Sequence, residues 1–422
     1  MDFTKTAKGA GILLAYPLAF AYLKFFLLDF SGDYTVLKRV LFVAGFILLN
    51  ILVLSGRDRR PAKETYFWYV VMGIVALTSV TGISEPVSMI GLHLCALYTA
   101  VVSSGIMIEG RTGSFIAADL FNAGVIESFG GFPNIFKDIS ESKRVRGKIN
   151  GTSAVAGIIG LLVMLPVFVI AVSLLRGINE SFDVSVSRFL NSVFSVINVK
   201  WIFRNSGYFI FAVPASLYLY GLLSNCAGST GEKEKGTFAK LLKWRESCHK
   251  VPQIMTSVIT GCFTALYLVF FCFEGSYLFS AFLGILPEEF TAAEYARKGF
   301  FELTGIMFIN MLVFVLVSYF SRRETVWRKI SSGMIVALMS ESVVFAAVSF
   351  SKLALYYSRF GYTPKRLLAM WGTLIFAAGA VMVIVHILKR RDMSRAWIYF
   401  TTGSFTLMNI ISSVLFIMFQ PS

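Results

Sequence analysis

The sequence predicts an all-α fold, a polytopic transmembrane helix bundle of about 11 spans with interfacial amphipathic helices. The chain of 422 residues is 56% hydrophobic and only 15% charged, whereas a soluble domain is about 25% charged. Its apolar runs are roughly 18–25 residues long, which is the length that a helix needs to cross the hydrocarbon core. A membrane β-barrel would instead show weakly alternating segments of about ten residues. These observations indicate helical spans.

The apolar runs give the order of the predicted spans. They are 10–28, 36–54, 66–82, 86–106, 151–175, 207–225, 251–273, 296–319, 330–350, 367–388 and 396–418. Only the segment Ile83-Ser-Glu-Pro86 separates the third span from the fourth, so this pair is the least secure. We divide the chain into an N-terminal four-span region with a cytoplasmic interfacial segment, 1–150, and a C-terminal seven-span region, 151–422. The first run lacks a small-residue cleavage site, so we expect a retained helix.

Three connecting segments have apolar residues of their own. Segment 181–205 has apolar residues at helical spacing, which predicts an amphipathic helix on the outer interface. Segment 115–129 has a weaker stripe of the same kind on the inner side. Segment 277–285 is too short to span and is followed by Pro287, so we expect a re-entrant or interfacial piece.

The basic residues indicate topology. The net charge is +15, and 26 of the 39 Lys and Arg residues fall in segments that are internal if the N-terminus is cytoplasmic. The positive-inside rule then predicts a cytoplasmic N-terminus and an extracytoplasmic C-terminus. We therefore expect anionic lipid headgroups as partners, and no nucleic acid. The five cysteines have no paired spacing and are expected to be reduced thiols.

A charged segment begins the eighth span. Glu294, Lys298, Glu302 and Asn310 share one helical face, which forms a polar stripe descending into the bilayer. Charge inside a membrane is costly and marks a functional site by default. Because Thr291-Ala-Ala-Glu294 fits a capping box, Glu294 is either a helix cap or a site residue.

A second polar segment, 352–366, follows the ninth span on the same outer side. Its cations Lys352, Arg359, Lys365 and Arg366 lie where the positive-inside rule disfavours them, and such clusters bind carboxylates or phosphates. Gly361 predicts a turn, and Thr363-Pro364 predicts a cap followed by the first helical residue. We expect Glu302 to contact Arg359 or Arg366 in one outer pocket. The predicted pocket residues are Glu294, Arg297, Lys298, Glu302, Tyr356, Arg359 and Arg366.

Glu341 is the deepest carboxylate in the predicted spans, where it lies between Ser340 and Ser342. It is either a protonated acid that bonds to a neighbouring helix or a proton or cation site. The single histidines in apolar runs, His93 and His386, are expected to be core residues. The sequence has no hydrolase or phosphate-loop motif and no clustered metal-ligand spacing, so we predict no cofactor and no metal.

Two segments resemble an uncharacterised bacterial multi-pass membrane family, a domain of unknown function that is widespread in Gram-positive bacteria. Its patterns read approximately Tyr-Ala-Arg-x-Gly-Phe-Phe-Glu-Leu and Arg-x-x-Leu-Tyr-x-x-x-Tyr-Gly-x-Thr-x-x-Arg, followed by a Trp. They are matched by Tyr295, Ala296, Arg297, Gly299, Phe300, Phe301, Glu302 and Leu303, and by Leu355, Tyr356, Gly361, Thr363, Arg366 and Trp371. Lys352 and Phe360 replace the opening Arg and the second Tyr. The resemblance covers roughly 200–390. It implies a multi-pass protein of the bacterial cytoplasmic (plasma) membrane and implies no activity.

Three functions fit these observations. The first is transport or handling of a small or lipid-linked envelope substrate through the outer charged pocket, which predicts alternating accessibility at Glu341. The second is a membrane-embedded transferase acting on a lipid phosphate with Glu302 as its acid. The third is a non-catalytic membrane subunit or sensor partner, which would depend on the interfacial helices instead of the two acids. Whether the protein is an enzyme stays open in the sequence.

Overall fold

The computed structural model describes residues 3–27, 35–143, 205–284, 291–322 and 327–418. Its helices are α1 (Phe3–Ala21), α2 (Thr35–Ser55), α3 (Thr65–Leu77), α4 (Glu85–Ser104), α5 (Ile116–Phe121), α6 (Ser128–Gly130), α7 (Phe132–Lys143), α8 (Ser206–Gly228), α9 (Glu232–Cys248), α10 (Gln253–Phe279), α11 (Ala292–Phe320), α12 (Arg328–Phe360), α13 (Pro364–Lys389) and α14 (Ser394–Met418). Two π-helical turns, Tyr22–Leu27 and Asn122–Glu127, continue α1 and α5.

The all-α prediction is confirmed. Within the described ranges, regular structure is helical, apart from a single parallel bridge between Val251 and Ser321. Nine described helices are long and apolar enough to cross a membrane. The least secure prediction, 66–82, corresponds to α3, whose 13 residues extend only about 20 Å against a hydrocarbon core of about 30 Å. Predicted segments 151–175 and 181–205, and the predicted boundary at 150, lie outside the described residues.

Two predicted interfacial segments are described. Segment 115–129 is helical, and Phe121 and Phe129 are 62% and 57% exposed, so it presents an apolar surface. The 277–285 segment is different, because α10 continues to Phe279 and is followed by a 3₁₀ turn, Ser280–Leu283. Gly284 ends this turn at φ +70°, a left-handed conformation that glycine adopts readily.

The long helices expose large apolar side chains. Phe273 is 83% exposed, and Phe301 and Leu266 are 66% and 60% exposed. Soluble monomers rarely present such continuous apolar surface, whereas a helix in lipid must present it. The chain is therefore an integral membrane protein.

The described chain forms two compact units. The first consists of 1–77, 91–111 and 116–233, and the second of 78–90, 112–115 and 234–422. In the first unit, the buried carboxylate of Asp138 is 2.9 Å from Arg57 Nη2 and 3.5 Å from Lys8 Nζ. The hydroxyl of Tyr220 also donates to it at 2.8 Å. Because the buried charge has several partners, this cluster stabilises the first unit.

The second unit is built on α10, α11, α12 and α13. Fully buried Phe345 on α12 lies at its centre, with ring centroids 5.2 Å from Tyr267 and 4.7 Å from Phe271 on α10. On α14, the buried Asn409 side-chain oxygen accepts bonds from the Ile83 amide and the Ser88 hydroxyl, both at 3.2 Å. These bonds attach the segment 78–90 to α14.

Candidate functional site

The two charged segments singled out in the sequence meet where α11 and α12 cross. This crossing is near the helix ends that are predicted to lie on the outer side of the membrane. Lys352 is only 1% exposed, and its Nζ lies 4.2 Å from the ring centroid of Tyr295. A Cβ at Gly299 would lie 2.6 Å from Lys352 Cδ, so only glycine leaves room for this buried side chain. The hydroxyl of Tyr295 is also hydrogen-bonded to Ser280 Oγ at 2.7 Å. A cation over an aromatic face is stabilised electrostatically, more strongly when desolvated.

Glu302 lies one turn beyond this crossing. It is exposed on α11, and its charge acts on Lys352. In the described part of the chain, no ion pair joins Glu302 to Arg359 or to Arg366. A direct ion pair is therefore absent, since the charge of Glu302 acts on Lys352 and Arg366 bonds within its own turn. A water-bridged contact with Arg359 or Arg366 stays a prediction.

Glu294 forms the predicted helix cap. The Thr291 hydroxyl accepts a bond from the Glu294 amide at 3.3 Å, and the Glu294 carboxylate accepts one from the Thr291 amide at 3.1 Å. This reciprocal pair is a capping box at the start of α11. Arg297 and Lys298 are exposed on the same first turns.

Arg366 closes the turn between α12 and α13. Its Nη1 donates to the carbonyl oxygens of Phe360 and Gly361 at 2.8 and 2.6 Å, and its guanidinium lies 4.2 Å from the Tyr356 ring centroid. Gly361 has φ +74°, which favours glycine. The Thr363 hydroxyl caps α13, as its position before Pro364 predicts. Arg366 and Tyr356 therefore contact each other as a structural pair.

Arg359, like Lys365, is a cation of segment 352–366 that remains available to a ligand. It is exposed, and no hydrogen bond, ion pair or ring contact involves it among the described residues. It follows Leu355 by four residues, so the two share one face of α12. Its guanidinium could bind a phosphate or a carboxylate through paired hydrogen bonds.

An open groove of about 680 Å³ runs along this face of α12. We call it the lateral groove, and its lining comprises Ala281, Phe282, Gly284, Val343, Ala346, Ala347, Phe350, Ser351, Ala354, Leu355, Ser358, Thr373, Leu374 and Ala377. Most of these side chains are apolar and many are small, so neighbouring helices leave space that larger residues would fill. From Val343 to Ser358 the groove extends roughly 22 Å along the helix.

Glu341 is buried in the middle of α12. It is 7% exposed, and neither carboxyl oxygen has a hydrogen-bond partner among the described residues. The Thr264 side chain faces the carboxyl group, yet its buried hydroxyl also makes no hydrogen bond of ordinary geometry. Thr264 on α10 is thus the neighbouring-helix group that faces Glu341, and both interpretations of this acid stay open. Leaving a buried polar group unpaired costs about 1–3 kcal/mol, so its retention favours a functional role.

A saturated polar cluster lies beside Glu341. The Tyr267 hydroxyl donates to Asn310 Oδ1 at 2.9 Å, and Asn310 Nδ2 donates to Ser342 Oγ at 2.8 Å. Asn310 is fully buried, so the predicted polar stripe on α11 does lead into the protein interior. No group of three or more His, Cys, Asp or Glu side chains lies together among the described residues as a metal site would require.

Sequence reasoning missed two features of this region. Lys352 was identified as a misplaced cation, but its contact with Tyr295 was not expected. The signal was present, because Gly299 in an otherwise large-residue run marks a close approach from a neighbouring element. The groove depends on which alanines of α12 and α13 face each other, and the pattern within one helix does not give this.

Comparison with known proteins gives one match. A family model described as a domain of unknown function, DUF4153, matches residues 88–418. No curated protein and no solved structure matches the chain. The match covers well over half of the chain and includes both segments on which the resemblance was based.

Proposed function

Because the chain belongs to the family described as a domain of unknown function (DUF4153), whose description names no activity, we propose a function from the geometry of the second unit. The protein transports or handles a lipid-linked envelope substrate in the bacterial cytoplasmic membrane. The observation that supports this most directly is the lateral groove, which ends beside the available cation Arg359.

The dimensions of the groove fit one lipid chain. Its length of roughly 22 Å is enough for a chain that crosses one leaflet, since half of the hydrocarbon core is about 15 Å thick. The lining is mostly apolar, with small side chains at Ala347 and Ala354 on α12. A chain lying there would exchange contact with bulk lipid for close packing.

The charge at the end of the groove fits a phosphate. Arg359 lies one turn beyond Leu355, which lines the groove. It lies on the predicted outer side of the membrane, where the positive-inside rule disfavours a cation. An anionic headgroup above the groove would pair with Arg359, while its chain lies below.

Lipid binding by purified protein tests this function. Arg359→Gln is expected to lower the anionic lipid that co-purifies with the protein about tenfold, since a hydrogen bond to a charged group contributes about 1.5–3 kcal/mol. Ala354→Phe, which fills the groove, should have a similar effect. Lipid would be extracted and quantified by mass spectrometry relative to the protein.

Two matched controls accompany that measurement. Lys389→Gln removes an exposed cation from the other end of α13, and Ala265→Phe enlarges an exposed residue of α10 outside the groove. Neither should change the bound lipid. Equal lipid in wild-type protein, Arg359→Gln and Ala354→Phe would contradict the proposed function.

A membrane-embedded transferase is the alternative supported by the charge of Glu302 acting on Lys352. In that function Glu302 would act as the acid at the headgroup. Glu302→Gln should then abolish turnover of a lipid phosphate while leaving the bound lipid unchanged. For a transporter, the same substitution should not abolish transport.

A further inference from the structure

A line of buried polar side chains crosses the second unit from end to end. At one end His249 Nδ1 lies 2.8 Å from the Ser321 carbonyl oxygen, and at the other Lys352 lies against Tyr295. Glu341 is buried between them. We call this line the polar column. It is separate from the lateral groove, whose lining includes neither Glu341 nor Lys352.

On the His249 side, α10 supplies the column. Gln253, Thr256, Thr260, Thr264 and Tyr267 recur at intervals of three or four residues, so they share one helical face. Thr256 and Thr260 are only 5% and 1% exposed. Along the helix this stripe extends about 21 Å. A polar stripe facing the inside of a membrane bundle is costly and therefore points to a function.

On the Lys352 side, α11 and α12 supply it. These helices are antiparallel, with Asn310 bonded to Ser342 at one level and Gly299 against Lys352 at another. Thr304 and Ser349 lie between these two contacts at nearly the same level. Both hydroxyls are buried and have no hydrogen-bond partner among the described residues. Glu341 and Lys352 are separated by roughly 16 Å along α12.

Unpaired polar groups recur along the column. Counted from the His249 end, they are His249 Nε2, Gln253 Oε1, Thr264 Oγ1, both oxygens of Glu341, Thr304 Oγ1 and Ser349 Oγ. Each unpaired buried group costs about 1–3 kcal/mol. A structural role would have paired them, as Asn310 is paired. Hydroxyl, carboxyl and imidazole groups are the side chains that both accept and donate a proton.

We propose that the polar column conducts protons between its two ends and that Glu341 is the group that holds the proton in transit. The proposal goes beyond lipid handling, because it supplies the energy source that net movement of a substrate requires. One proton moves per step and no electron. The O–H bond of the Glu341 carboxyl breaks as its proton passes to the oxygen of a neighbouring hydroxyl, which releases its own proton to the next group of the column. The resulting carboxylate then accepts a proton from the other side in the same way.

The charge environment of Glu341 suits this role. On α10 the titratable group nearest to it in effect is the phenol of Tyr267, on which the charge of Glu341 acts. The facing stretch of α11, 303–318, contains no ionisable side chain, and neither does 367–385 on α13. No cation therefore holds Glu341 permanently ionised, and a bound proton is what neutralises it.

Infrared spectroscopy of the purified protein in lipid discs tests the proposal. The C=O stretch of a protonated carboxyl is assigned to Glu341 by its loss in Glu341→Gln, which mimics the neutral acid. After transfer into D₂O, this band should shift quickly in the wild-type protein, since both ends supply deuterons.

Blocking variants separate the two ends. Thr260→Val with Thr264→Val blocks the His249 side, and Thr304→Val with Ser349→Ala blocks the Lys352 side. Each block alone should leave exchange fast, because the other end stays open. The combined variant should slow exchange by about tenfold or more, which corresponds to about 1.4 kcal/mol in the barrier. Ser340→Ala is the matched control, since Ser340 is exposed beside Glu341 and bonds to Val336.

Three results would overturn the proposal. Without the protonated band in wild-type protein, Glu341 does not hold a proton. Slow exchange with only one side blocked would mean that the column reaches water at only one end and so cannot conduct protons between two ends. Unchanged exchange in the combined variant would mean that the proton reaches Glu341 by another route. No lipid substrate enters this measurement, so each of these results leaves the lateral groove to be judged by its own test.

Discussion

Gly299 and Lys352 decide which side chains meet where α11 and α12 cross. Sequence spacing correctly indicated the caps at Thr291 and Thr363, because a cap depends on residues within one turn. It did not give the partner of Glu302, because that contact depends on the register of α11 against α12. Gly299 sets this register by admitting Lys352.

Gly299→Ala should therefore destabilise the protein. The added methyl would lie 2.6 Å from Lys352 Cδ in a packed interior, and overpacking of this kind costs about 1–3 kcal/mol. Thermal unfolding in one detergent would measure the change. Gly305→Ala on the same helix is the matched control, since a Cβ there meets nothing within 4 Å. It should be neutral or gain up to about 1 kcal/mol. Equal melting temperatures for the two variants would contradict the packing account.

Glu341 and Asn310 should respond in opposite ways to replacement by leucine. Glu341→Leu removes a carboxyl without partners and should raise the free energy of unfolding by about 1–3 kcal/mol. Asn310→Leu leaves Tyr267 and Ser342 without their bonds and should lower it by a similar amount. The same unfolding assay compares them. A loss of stability in Glu341→Leu as large as that in Asn310→Leu would show that Glu341 has a structural partner.

At the scale of whole helices, hydropathy predicted well which parts of the chain are helical and predicted the first and last residues of each helix less well. The apolar run 330–350 gave the middle of α12, but the helix has 33 residues and extends roughly 50 Å. It continues beyond the apolar run because its last turns, including Lys352, are held by packing and not by lipid. The short helix α3 differs in the opposite direction. The sequence predicts a span of 17 residues, 66–82, but the helix already ends at Leu77.

The orientation of the second unit can be tested by cysteine labelling. We expect a cysteine at Ser358 to react with an impermeant reagent from outside the cell, and one at Ser247 to react only from inside, following the positive-inside rule. Both side chains are exposed at opposite ends of the helices of this unit. The five native cysteines would first be replaced by serine or alanine. Labelling of Ser247 from outside would reverse the predicted orientation.

At the scale of the molecule, composition alone predicted a helical membrane bundle, because the hydrocarbon core imposes that solution on any long apolar chain. The lateral groove and the polar column could not be predicted in this way. Each depends on residues far apart in sequence, such as Tyr267, which bonds to Asn310, or Ala281 and Ala377, which line the same groove. The residue types were visible, while their shared location was not.

The central claim is that the lateral groove holds a lipid whose phosphate pairs with Arg359. The most direct measurement is an experimental structure of the protein in discs made with its native lipids. We expect density for one apolar chain between Val343 and Ser358, with a phosphate within about 4 Å of the Arg359 guanidinium. A groove without such density, or a chain whose headgroup lies away from Arg359, would contradict the claim.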